Sequence, residues 1–250
     1  MCSLVMLRRP DHAWPLIVAA NRDEKTDRPW RPPGRHWPDR PEVMAGRDET
    51  AGGSWLGLND FGLLAALLNR VGSLGPAPDK RSRGELVLDA LDHADADAAA
   101  DALAAIDGRA YRPFNLVIAD NRDAFWLRST GGAMVEVHPI VPGTHMLTAL
   151  DLDDQASPRI RAYLPRFRAA PAPDPATGDW DSWRRLTSEA TPADGDEEGG
   201  AMIQSRAAGF GTVSSSLIAL PEATYGKPTP PIWLFAPGRP DQTEYRPVLF

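Results

Sequence analysis

Cys2 is the only cysteine among the 250 residues of the chain, and it stands directly after Met1. A small side chain at position two permits removal of the initiator methionine, which would leave Cys2 with a thiol and a free α-amine. An α-amine titrates near pH 8, well below the lysine value of about 10.4, so it is partly neutral at physiological pH. Such an amine can take the proton of a neighbouring nucleophile. Cys2 is therefore a candidate nucleophile that carries its own base; the alternative is that a small residue stands there only for processing.

The chain after Cys2 predicts a β-hairpin. It contains two short apolar strands with a turn near residues 10–12 between them. Antiparallel pairing around this turn places Cys2 opposite Ala20 or Asn21. The polar segment 21–24 then lies at the same end of the sheet as the amino terminus. The candidate residues for holding that terminus are Asn21, Arg22 and Asp23.

The composition of the chain excludes several classes of partner. A formal net charge of -7 argues against nucleic acid and against an anionic membrane surface. A single cysteine cannot form an internal disulfide, so no oxidising compartment is indicated. No signal peptide is evident, and no run approaches the roughly 20 apolar residues that span a bilayer. The sequence predicts a cytoplasmic protein without a transmembrane segment and leaves its oligomeric state open.

The apolar segments predict an α+β fold. Strands come in hairpins on either side of a helix-rich middle part, which is typical of antiparallel sheets covered by helices. Ser82, followed by Glu85 at capping-box spacing, predicts a helix that runs through Leu91. An alanine-rich segment predicts a second helix, on the surface, over 95–106. The predicted strands are 2–7, 16–20, one ending at the turn 59–60, 63–69, 114–119, 124–127, 134–140, 145–150, 202–206, 212–220 and 232–235, and the remaining predicted helices are 158–167 and 180–186.

Two proline-rich segments are predicted to be loops of a single domain that spans residues 1–250. In the first, 28–41, Trp30 and Trp37 would give rigid apolar walls to a substrate pocket. The alternative is that this segment is only an ordered surface connection. The second, 170–200, is rich in Pro, Asp, Gly and Glu, and most of it is predicted to be a mobile loop.

Several motifs together resemble the transport-and-Golgi-organisation family, also called the NRDE family. The matching pieces run in order over most of the chain, which makes the set specific although no single piece is. The resemblance implies the N-terminal-nucleophile hydrolase fold, a four-layer αββα sandwich of antiparallel sheets. The pieces are Met1-Cys2, ANRDE at 20–24, RP at 28–29, GGSWLG at 52–57, SRGELV at 82–87, FNL at 114–116, PGT at 142–144, GT at 211–212 and SSS at 214–216.

A second resemblance concerns the chemistry. The segments GLNDFGL at 57–63 and ALLN at 66–69 are similar to the central part of conjugated-bile-acid hydrolases and penicillin V acylases. These enzymes cleave amide bonds with an N-terminal cysteine. The likeness implies that Asn69 lines an oxyanion hole, where one donor is worth about 3 kcal/mol. It also implies that Arg22 and Asp23 hold the amine and the thiolate, although their spacing differs from the acylase pattern.

Two residues depart from the pattern of an active acylase. Ala149 stands where the family usually has an asparagine that would be a second oxyanion donor. Val213 stands where the family usually has an arginine near the thiolate. Losing both groups would cost several orders of magnitude in rate if the mechanism were unchanged. The residues that could replace them are Thr148, which is also a candidate substrate contact, Ser214 and His145.

The leading functional hypothesis is hydrolysis of an amide or a thioester in a small hydrophobic molecule, with Cys2 as the nucleophile. No cofactor is required for this reaction. The rival is a non-catalytic carrier of haem, acyl lipid or coenzyme A on the same fold, with His138 or His145 as the axial ligand of haem. A third alternative, implied by the family name, is an organising factor in secretion. No histidine pair has metal-ligand spacing, so no metal site is predicted, and Gly52-Gly53 predicts a turn rather than a nucleotide site.

Overall fold

The structure is a computed structural model that describes residues 2–191, 200–206, 209–223 and 229–250. The described chain forms two compact units. The first unit contains the chain up to Asp27 together with Pro142–Leu249, and the second contains Arg28–Val141 and Phe250. Within the described residues, each unit is built on a seven-stranded antiparallel sheet. The predicted α+β class is confirmed.

The elements of both units are numbered in chain order. The strands are β1 (Ser3–Arg8), β2 (Leu16–Lys25), β3 (Trp30–Gly34), β4 (Val43–Asp48), β5 (Leu56–Asn59), β6 (Leu64–Asn69), β7 (Phe114–Ala119), β8 (Ala124–Ser129), β9 (Glu136–Pro139), β10 (Gly143–Leu147), β11 (Ser205–Arg206), β12 (Phe210–Leu220), β13 (Ile232–Ala236) and β14 (Arg246–Pro247). The helices are α1 (Glu85–Leu91), α2 (Ala96–Ala104), α3 (Pro158–Ala169) and α4 (Asp181–Thr187).

The sheet of the first unit has the order β10-β1-β2-β12-β13-β14, with β11 paired to β12. One face of this sheet packs against α3 and α4, and strand alternation places Val5, Ile17 and Ala19 on that face. Leu4 and Val18, which point to the other face, are buried as well. Burial on both faces explains why these strands are continuous apolar runs. The helix-side core also contains Met146, Ile160, Tyr163, Leu164, Phe167, Trp180, Trp183, Leu186 and Leu217.

The sheet of the second unit has the order β3-β4-β5-β6-β7-β8-β9, and α1 and α2 pack on one of its faces. The alanine-rich α2 buries Ala96, Ala99, Ala100 and Leu103, whose spacing forms one stripe of a helix. The helix α2 therefore has one buried side and one exposed side, and the predicted surface position is correct only for the exposed side. The main core residues of this unit are Val43, Leu63, Leu86, Val87, Leu91, Phe114, Leu116, Ile118 and Leu127.

The predicted loop 28–41 contains a strand, β3, that the sequence pattern does not indicate. Among the described strands, β3 is at the edge of its sheet and pairs with β4 alone. The register shifts between Arg31 and Gly34, where two prolines stand. Proline lacks an N–H group, so it is tolerated on an edge strand or at a bulge but not in a central strand. The prolines that suggested a loop are therefore compatible with this edge position.

The second predicted loop, 170–200, is described only in part, because residues 192–199 lie outside the described residues. The amphipathic piece predicted within it is the helix α4. Before α4, an isolated antiparallel bridge joins Asp174 to Asp179. Trp180 and Trp183 are both buried, so this segment supplies two large side chains to the core of the first unit.

The prediction that Ser82 is the N-cap of α1 is wrong. The helix begins at Glu85 with Gly84 as its N-cap, and no side chain caps it. The Ser82 hydroxyl instead accepts the N–H of Gly84 at 3.3 Å. A contact between two main-chain segments sets this start: Ser54 donates its N–H to the Gly84 carbonyl at 3.0 Å. A Cβ atom added to Gly53 would collide with the main chain of Gly84.

This close approach predicts unequal costs for alanine at the two neighbouring glycines of the motif. Gly53→Ala should lower the free energy of unfolding by about 3 kcal/mol, because the backbone of Gly84 cannot move aside without displacing α1. Gly52→Ala should cost only about 1 kcal/mol, because Gly52 has a φ of +76° but no atom lies within 4 Å of the position that a new Cβ would take. Urea unfolding of the two variants measures the difference. Equal costs would contradict a structural role of the Gly53–Gly84 contact.

Candidate active site

The hairpin that carries Cys2 has a register one residue away from the nearer of the two predicted ones. Ser3 pairs with Asn21 and Leu4 pairs with Ala20, so the two predicted partners of Cys2 lie opposite its successors. The connection between β1 and β2 is centred on residue 12, slightly later than predicted, and Arg9 N–H bonds the carbonyl of Pro15 across its base. A one-residue shift in register exchanges the faces on which side chains lie. Continued alternation places Cys2 on the sheet face opposite α3 and α4, the face that Arg22 occupies on β2.

The sulfur of Cys2 is held by the main chain of Asp23. Its Sγ accepts the N–H of Asp23 at 3.4 Å, and the thiol donates to the Asp23 carbonyl oxygen at 3.5 Å. Burial raises the pKa of the Cys2 thiol above its ordinary value, and the Asp23 carboxylate raises it further. The Asp23 N–H and the Arg22 guanidinium act in the opposite direction without reversing the shift. The shift disfavours the thiolate, which is the form that attacks, so a base would have to take the thiol proton.

The side chain of Asp23 is fixed by a buried ion pair. Both terminal nitrogens of Arg159, on the first turn of α3, donate to Asp23 Oδ2 at 3.2 Å. Thr212 on β12 donates its hydroxyl to Asp23 Oδ1 at 2.7 Å. The side chains of Asp23 and Arg159 are 0% and 4% exposed. The main chain that holds the sulfur is thus anchored at the same residue to α3 and β12.

Asn21 connects several elements on the helix side of the sheet. Its Nδ2 donates to the carbonyls of Thr187 at 2.9 Å and Met202 at 3.2 Å. Its Oδ1 accepts the hydroxyl of Ser215 at 2.6 Å, and that hydroxyl also contacts the Tyr245 hydroxyl at 2.7 Å. The described contacts of this amide bind α4, the segment before β11, and β12 to β2. They give Asn21 a role in holding the strand that leads to Asp23.

A β-bulge on β12 lies directly beside the candidate site. Thr212 pairs with Asp23 and Ser214 pairs with Arg22, so Val213 is the extra residue of the bulge. Bulges redirect side chains and are frequent next to active sites. Cross-strand partners share a face, so Ser214 lies on the same side of the sheet as Arg22. Ser214 is buried and is one of the three residues that the sequence suggested as replacements for lost family groups.

Thr148 and Ala149, which follow β10, are both buried. The Thr148 hydroxyl donates to the hydroxyl of Ser157 at 3.1 Å. Ser157 is the N-cap of α3 and accepts the N–H of Ile160 at 3.4 Å. This contact of Thr148 therefore links β10 to the start of the helix that carries Arg159.

Three predicted site residues lie in the second unit, whereas Cys2 lies in the first. Asn69 is the last residue of β6 and is partly exposed, and no described residue hydrogen-bonds its side-chain amide. Trp30 contacts the ring of Trp55 edge-on at 5.8 Å. Trp37 donates its Nε1–H to the carbonyl of Gly52 at 3.1 Å and packs on the core of this unit. Trp37 is thereby fixed as part of the packing of its own unit.

Sequence reasoning missed the residues that hold Asp23. One feature of the sequence could have singled out Arg159: it stands in the first turn of a helix whose start is predicted by Ser157 and Pro158. A cation there opposes the positive end of the helix dipole and is unfavourable unless a nearby anion compensates it. Its partner Asp23 is separated from it by 136 positions, so no local pattern could identify the pair.

His145 is also held by a carboxylate that the sequence did not indicate. Its Nδ1 lies 2.8 Å from Asp153 Oδ2, and Asp153 Oδ1 accepts the N–H of Met146 at 2.7 Å. Arg168 on α3 contacts the same Oδ2 at 3.2 Å. Among the described strands β10 is at the edge of its sheet, and Asp153 bonds both main-chain groups of Met146 on this strand.

This arrangement predicts an acid-sensitive contribution to stability. Burial would raise the pKa of Asp153, but hydrogen bonds from His145 and Met146 N–H outweigh it and lower that pKa below its ordinary value. A lowered carboxyl pKa stabilises the fold above the unfolded value of about 3.9, and this contribution disappears as the pH falls through the folded value. Asp153→Asn should therefore lower the free energy of unfolding by about 1–2 kcal/mol at neutral pH. The difference from the unmodified protein should vanish once the pH has fallen below the lowered pKa of Asp153.

Urea unfolding between neutral and acidic pH measures the effect of Asp153→Asn. Asp11→Asn removes an exposed carboxylate from the same unit and serves as the control, with little effect expected at any pH. A cost for Asp153→Asn that stays constant down to the lowest pH would contradict the proposed linkage.

Metal-binding clusters and membrane-spanning helices are both absent from the described part of the chain. No group of three or more His, Cys, Asp or Glu side chains in it is arranged to hold a metal ion. Among the helices in those same residues, none combines the length and the apolar character that crossing a membrane requires.

The fold is that of the N-terminal-nucleophile hydrolases. The structure is similar to an N-acylethanolamine-hydrolyzing acid amidase ortholog from Caenorhabditis elegans, with a TM-score of 0.56 at 14% identity over 87% of this chain and 92% of that one. It is similar to the C2A mutant of the conjugated bile acid hydrolase from Clostridium perfringens, with a TM-score of 0.53 at 12% identity over 100% and 97%. It is also similar to the penicillin V acylase from Agrobacterium tumefaciens, with a TM-score of 0.51 at 15% identity over 95% and 83%.

Within this fold, the chain belongs to the Transport and Golgi organisation 2 family, whose model matches residues 1–187. The human homolog is 36% identical over 152 residues, which cover 55% of this chain and 51% of that protein. The mouse homolog is 36% identical over 150 residues, which cover 55% and 51%. The chain thus spans about half the length of the curated relatives it matches. The family and the fold expected from the sequence motifs are confirmed.

Proposed function

We propose that this protein is an N-terminal-cysteine hydrolase that cleaves an amide or thioester bond in a small hydrophobic molecule after Met1 is removed. The observation that carries the proposal is the fixed position of the Cys2 sulfur. It lies 3.4 Å from the N–H of Asp23 on a residue that is only partly buried. The residue that holds it is itself anchored by Arg159 and Thr212. Nucleophiles of this class need such a fixed position because small displacements cost large factors in rate.

The proposed reaction begins with transfer of the thiol proton to the α-amine of Cys2. The thiolate attacks the carbonyl carbon of the substrate, and the amine or thiol leaving group takes up the proton from the α-ammonium. Water then hydrolyses the acyl-cysteine, releases the acid and restores the thiol. The raised pKa of the Cys2 thiol makes the α-amine necessary, because little thiolate exists at neutral pH without it. Asn69 as an oxyanion donor stays a prediction from the resemblance.

The substrate class is supported by the names of the structural neighbours. They describe an acid amidase, a bile acid hydrolase and an acylase. Each name denotes cleavage of an acyl compound or a bile acid conjugate. A cytoplasmic location is part of the proposal, as are the candidate substrate contacts Trp30, Trp37 and Thr148.

A matched pair of chains tests the proposed function. One begins at Cys2, and the other carries a single glycine in front of Cys2, which keeps the thiol but converts the α-amine into an amide. Both are assayed for turnover on a panel of fatty-acyl amides, bile acid conjugates and acyl thioesters. We expect turnover of at least one class by the first chain and none by the second. Equal turnover by both chains, or none by either, would contradict the proposal.

The second candidate function is a carrier of haem, acyl lipid or coenzyme A. Two observations favour it: the raised pKa of the Cys2 thiol and the buried Ala149 at a position where a donor would be needed. His145 fits an axial ligand of haem, because metal-bound histidines commonly contact a carboxylate through the other ring nitrogen. His138 fits less well, because its Nε2 lies 3.4 Å from Glu136 and its ring stacks on Trp126.

A haem titration followed by absorbance tests the carrier. A shifted Soret band that is lost in His145→Ala and kept in His138→Ala would support it. An unchanged spectrum, or equal loss in both variants, would remove haem as the ligand. An organising role in secretion, the third alternative, rests on the family description alone.

A further inference from the structure

The ion pair between Arg159 and Asp23 is almost completely buried and lies next to the candidate nucleophile. Both terminal guanidinium nitrogens of Arg159 contact one oxygen of Asp23, and the other oxygen receives the Thr212 hydroxyl. Two charges without solvent are stable only when their geometry and remaining hydrogen bonds are satisfied. The carboxylate meets this condition on both oxygens.

The location of Arg159 is costly for the fold in other respects. It occupies the first turn of α3, where the helix dipole disfavours a cation. The fold could close this space with an apolar residue, since well-packed apolar replacements of buried ion pairs are often neutral or stabilising. A positive charge at this position therefore indicates that the charge has a role other than stabilising the fold.

The contacts of Asp23 indicate the role of the charge on Arg159. The same residue that receives the guanidinium holds the Cys2 sulfur through its N–H and its carbonyl oxygen. Position 213 on β12, next to Thr212, carries valine and supplies no charge. Arg159 brings a cation to the same carboxylate from a different element.

We propose that Arg159 is the positioning residue of the Cys2 site: it neutralises and fixes Asp23, and through the main chain of Asp23 it fixes the sulfur. This inference rests on the proposed function, because only a reacting thiol needs such control. Arg159 does not touch the reacting atoms and takes no proton.

The proposal makes a prediction about the charge that the thiol experiences. From β2, the charged groups near the thiol are Asp23 and Arg22, and from α3 the group is Arg159. On β12, Thr212 lies beside Asp23 and Ser214 lies beside Arg22 on the other face of the sheet, and both residues are uncharged. The α-amine of Cys2 itself is common to all variants. Removing Arg159 takes one positive charge away from the Asp23 carboxylate, so the thiolate should form less readily.

The experiment measures the rate of alkylation by iodoacetamide as a function of pH. Because Cys2 is the only cysteine of the chain, the rate reports on that thiol alone. Arg159→Met should raise the apparent thiol pKa by about one unit, which slows alkylation near pH 8 about tenfold. Asp23→Asn should shift the profile in the opposite direction and speed alkylation. Arg159→Lys, which keeps the charge, and Arg168→Met, which removes an exposed arginine from the same helix, should stay within about threefold of the unmodified protein.

Opposite shifts for Arg159→Met and Asp23→Asn distinguish control of charge from mere loosening of the site, which would speed alkylation in both variants without moving the pH profile. A profile for Arg159→Met that matches the unmodified protein, or a shift of both variants in one direction, would overturn the proposal. If Arg159→Met fails to fold, Thr212→Val carries the test: it removes the other donor to Asp23 and should slow alkylation, and an unchanged profile would overturn the proposal. The readout is the thiol and not turnover, so a protein that passes yet hydrolyses nothing would lose the proposed function alone.

Discussion

Cys2→Ala should abolish hydrolysis of every amide and thioester that the protein turns over. Removal of the nucleophile from an enzyme that works through a covalent intermediate costs about 10⁶-fold in kcat. No second cysteine exists in the chain that could take over the attack. The loss should appear in the rate of the chemical step and not in the dissociation constant of the substrate, since non-covalent binding does not require the sulfur. Single-turnover assays with the substrate found for the chain that begins at Cys2 measure it.

Ser3→Ala is the matched control for Cys2→Ala. The Ser3 hydroxyl is buried and, among the described residues, has no hydrogen-bond partner. Its removal next to the nucleophile should leave turnover within about twofold, because no satisfied bond is lost. Residual activity of Cys2→Ala above about one per cent would contradict a covalent role of the sulfur.

Arg159→Met should lower the free energy of unfolding by about 3–5 kcal/mol. The variant keeps the apolar stem of the side chain and removes the charge, so the buried Asp23 carboxylate loses the guanidinium that contacts it. Of the side-chain donors described above for that carboxylate, only the Thr212 hydroxyl then remains. A loss of this size is a large fraction of the total stability of a domain, which is about 5–15 kcal/mol. Urea unfolding at neutral pH measures it.

The double variant Asp23→Asn/Arg159→Met controls for this effect, since it removes both charges. It should recover part of the stability lost in Arg159→Met, with a coupling energy of about 1–3 kcal/mol. Arg168→Met removes a half-exposed arginine from the other end of α3 and should cost less than about 1 kcal/mol. Additive effects of the two changes would contradict a direct ion pair between Asp23 and Arg159.

Local patterns predicted much of the fold. The alternating and continuous apolar runs indicate β1, β2, β6, β7 and β12, because each strand is buried on at least one face. Ser157 followed by Pro158 predicts the start of α3, since Ser157 supplies the N-cap and proline is favoured at the first position of a helix. The motifs of residues 1–187 indicate the family, and the fold follows from the family.

The predictions that were wrong concern features that are set by contacts between residues distant in sequence. The start of α1 is set by the main chain of Gly53 rather than by the capping box at Ser82. The hairpin register is one or two residues away from the predicted one because the connection is centred on residue 12, and its composition alone does not fix that centre. Strand β3 was missed because its prolines are acceptable only at a sheet edge, and an edge is a property of the whole sheet.

Some residues of the candidate site could likewise be predicted from the sequence, and others could not. Cys2, Arg22 and Asp23 were identified from the sequence, and β1 and β2 bring them to one end of a sheet. The partners of Asp23 on α3 and β12 are 136 and 189 positions away, and no spacing rule connects them to the nucleophile. Such partners become visible only when burial shows which charges must be compensated.

Mass spectrometry of the intact purified protein, before and after incubation with an acyl thioester, tests the central claim most directly. If the sulfur at the head of β1 attacks acyl groups, the mass before incubation will lack the initiator methionine. After incubation it will rise by one acyl group, which peptide mapping will locate on Cys2. A retained methionine, or a thiol that stays unmodified while the protein remains folded, would contradict the enzyme and leave a carrier on a hydrolase fold.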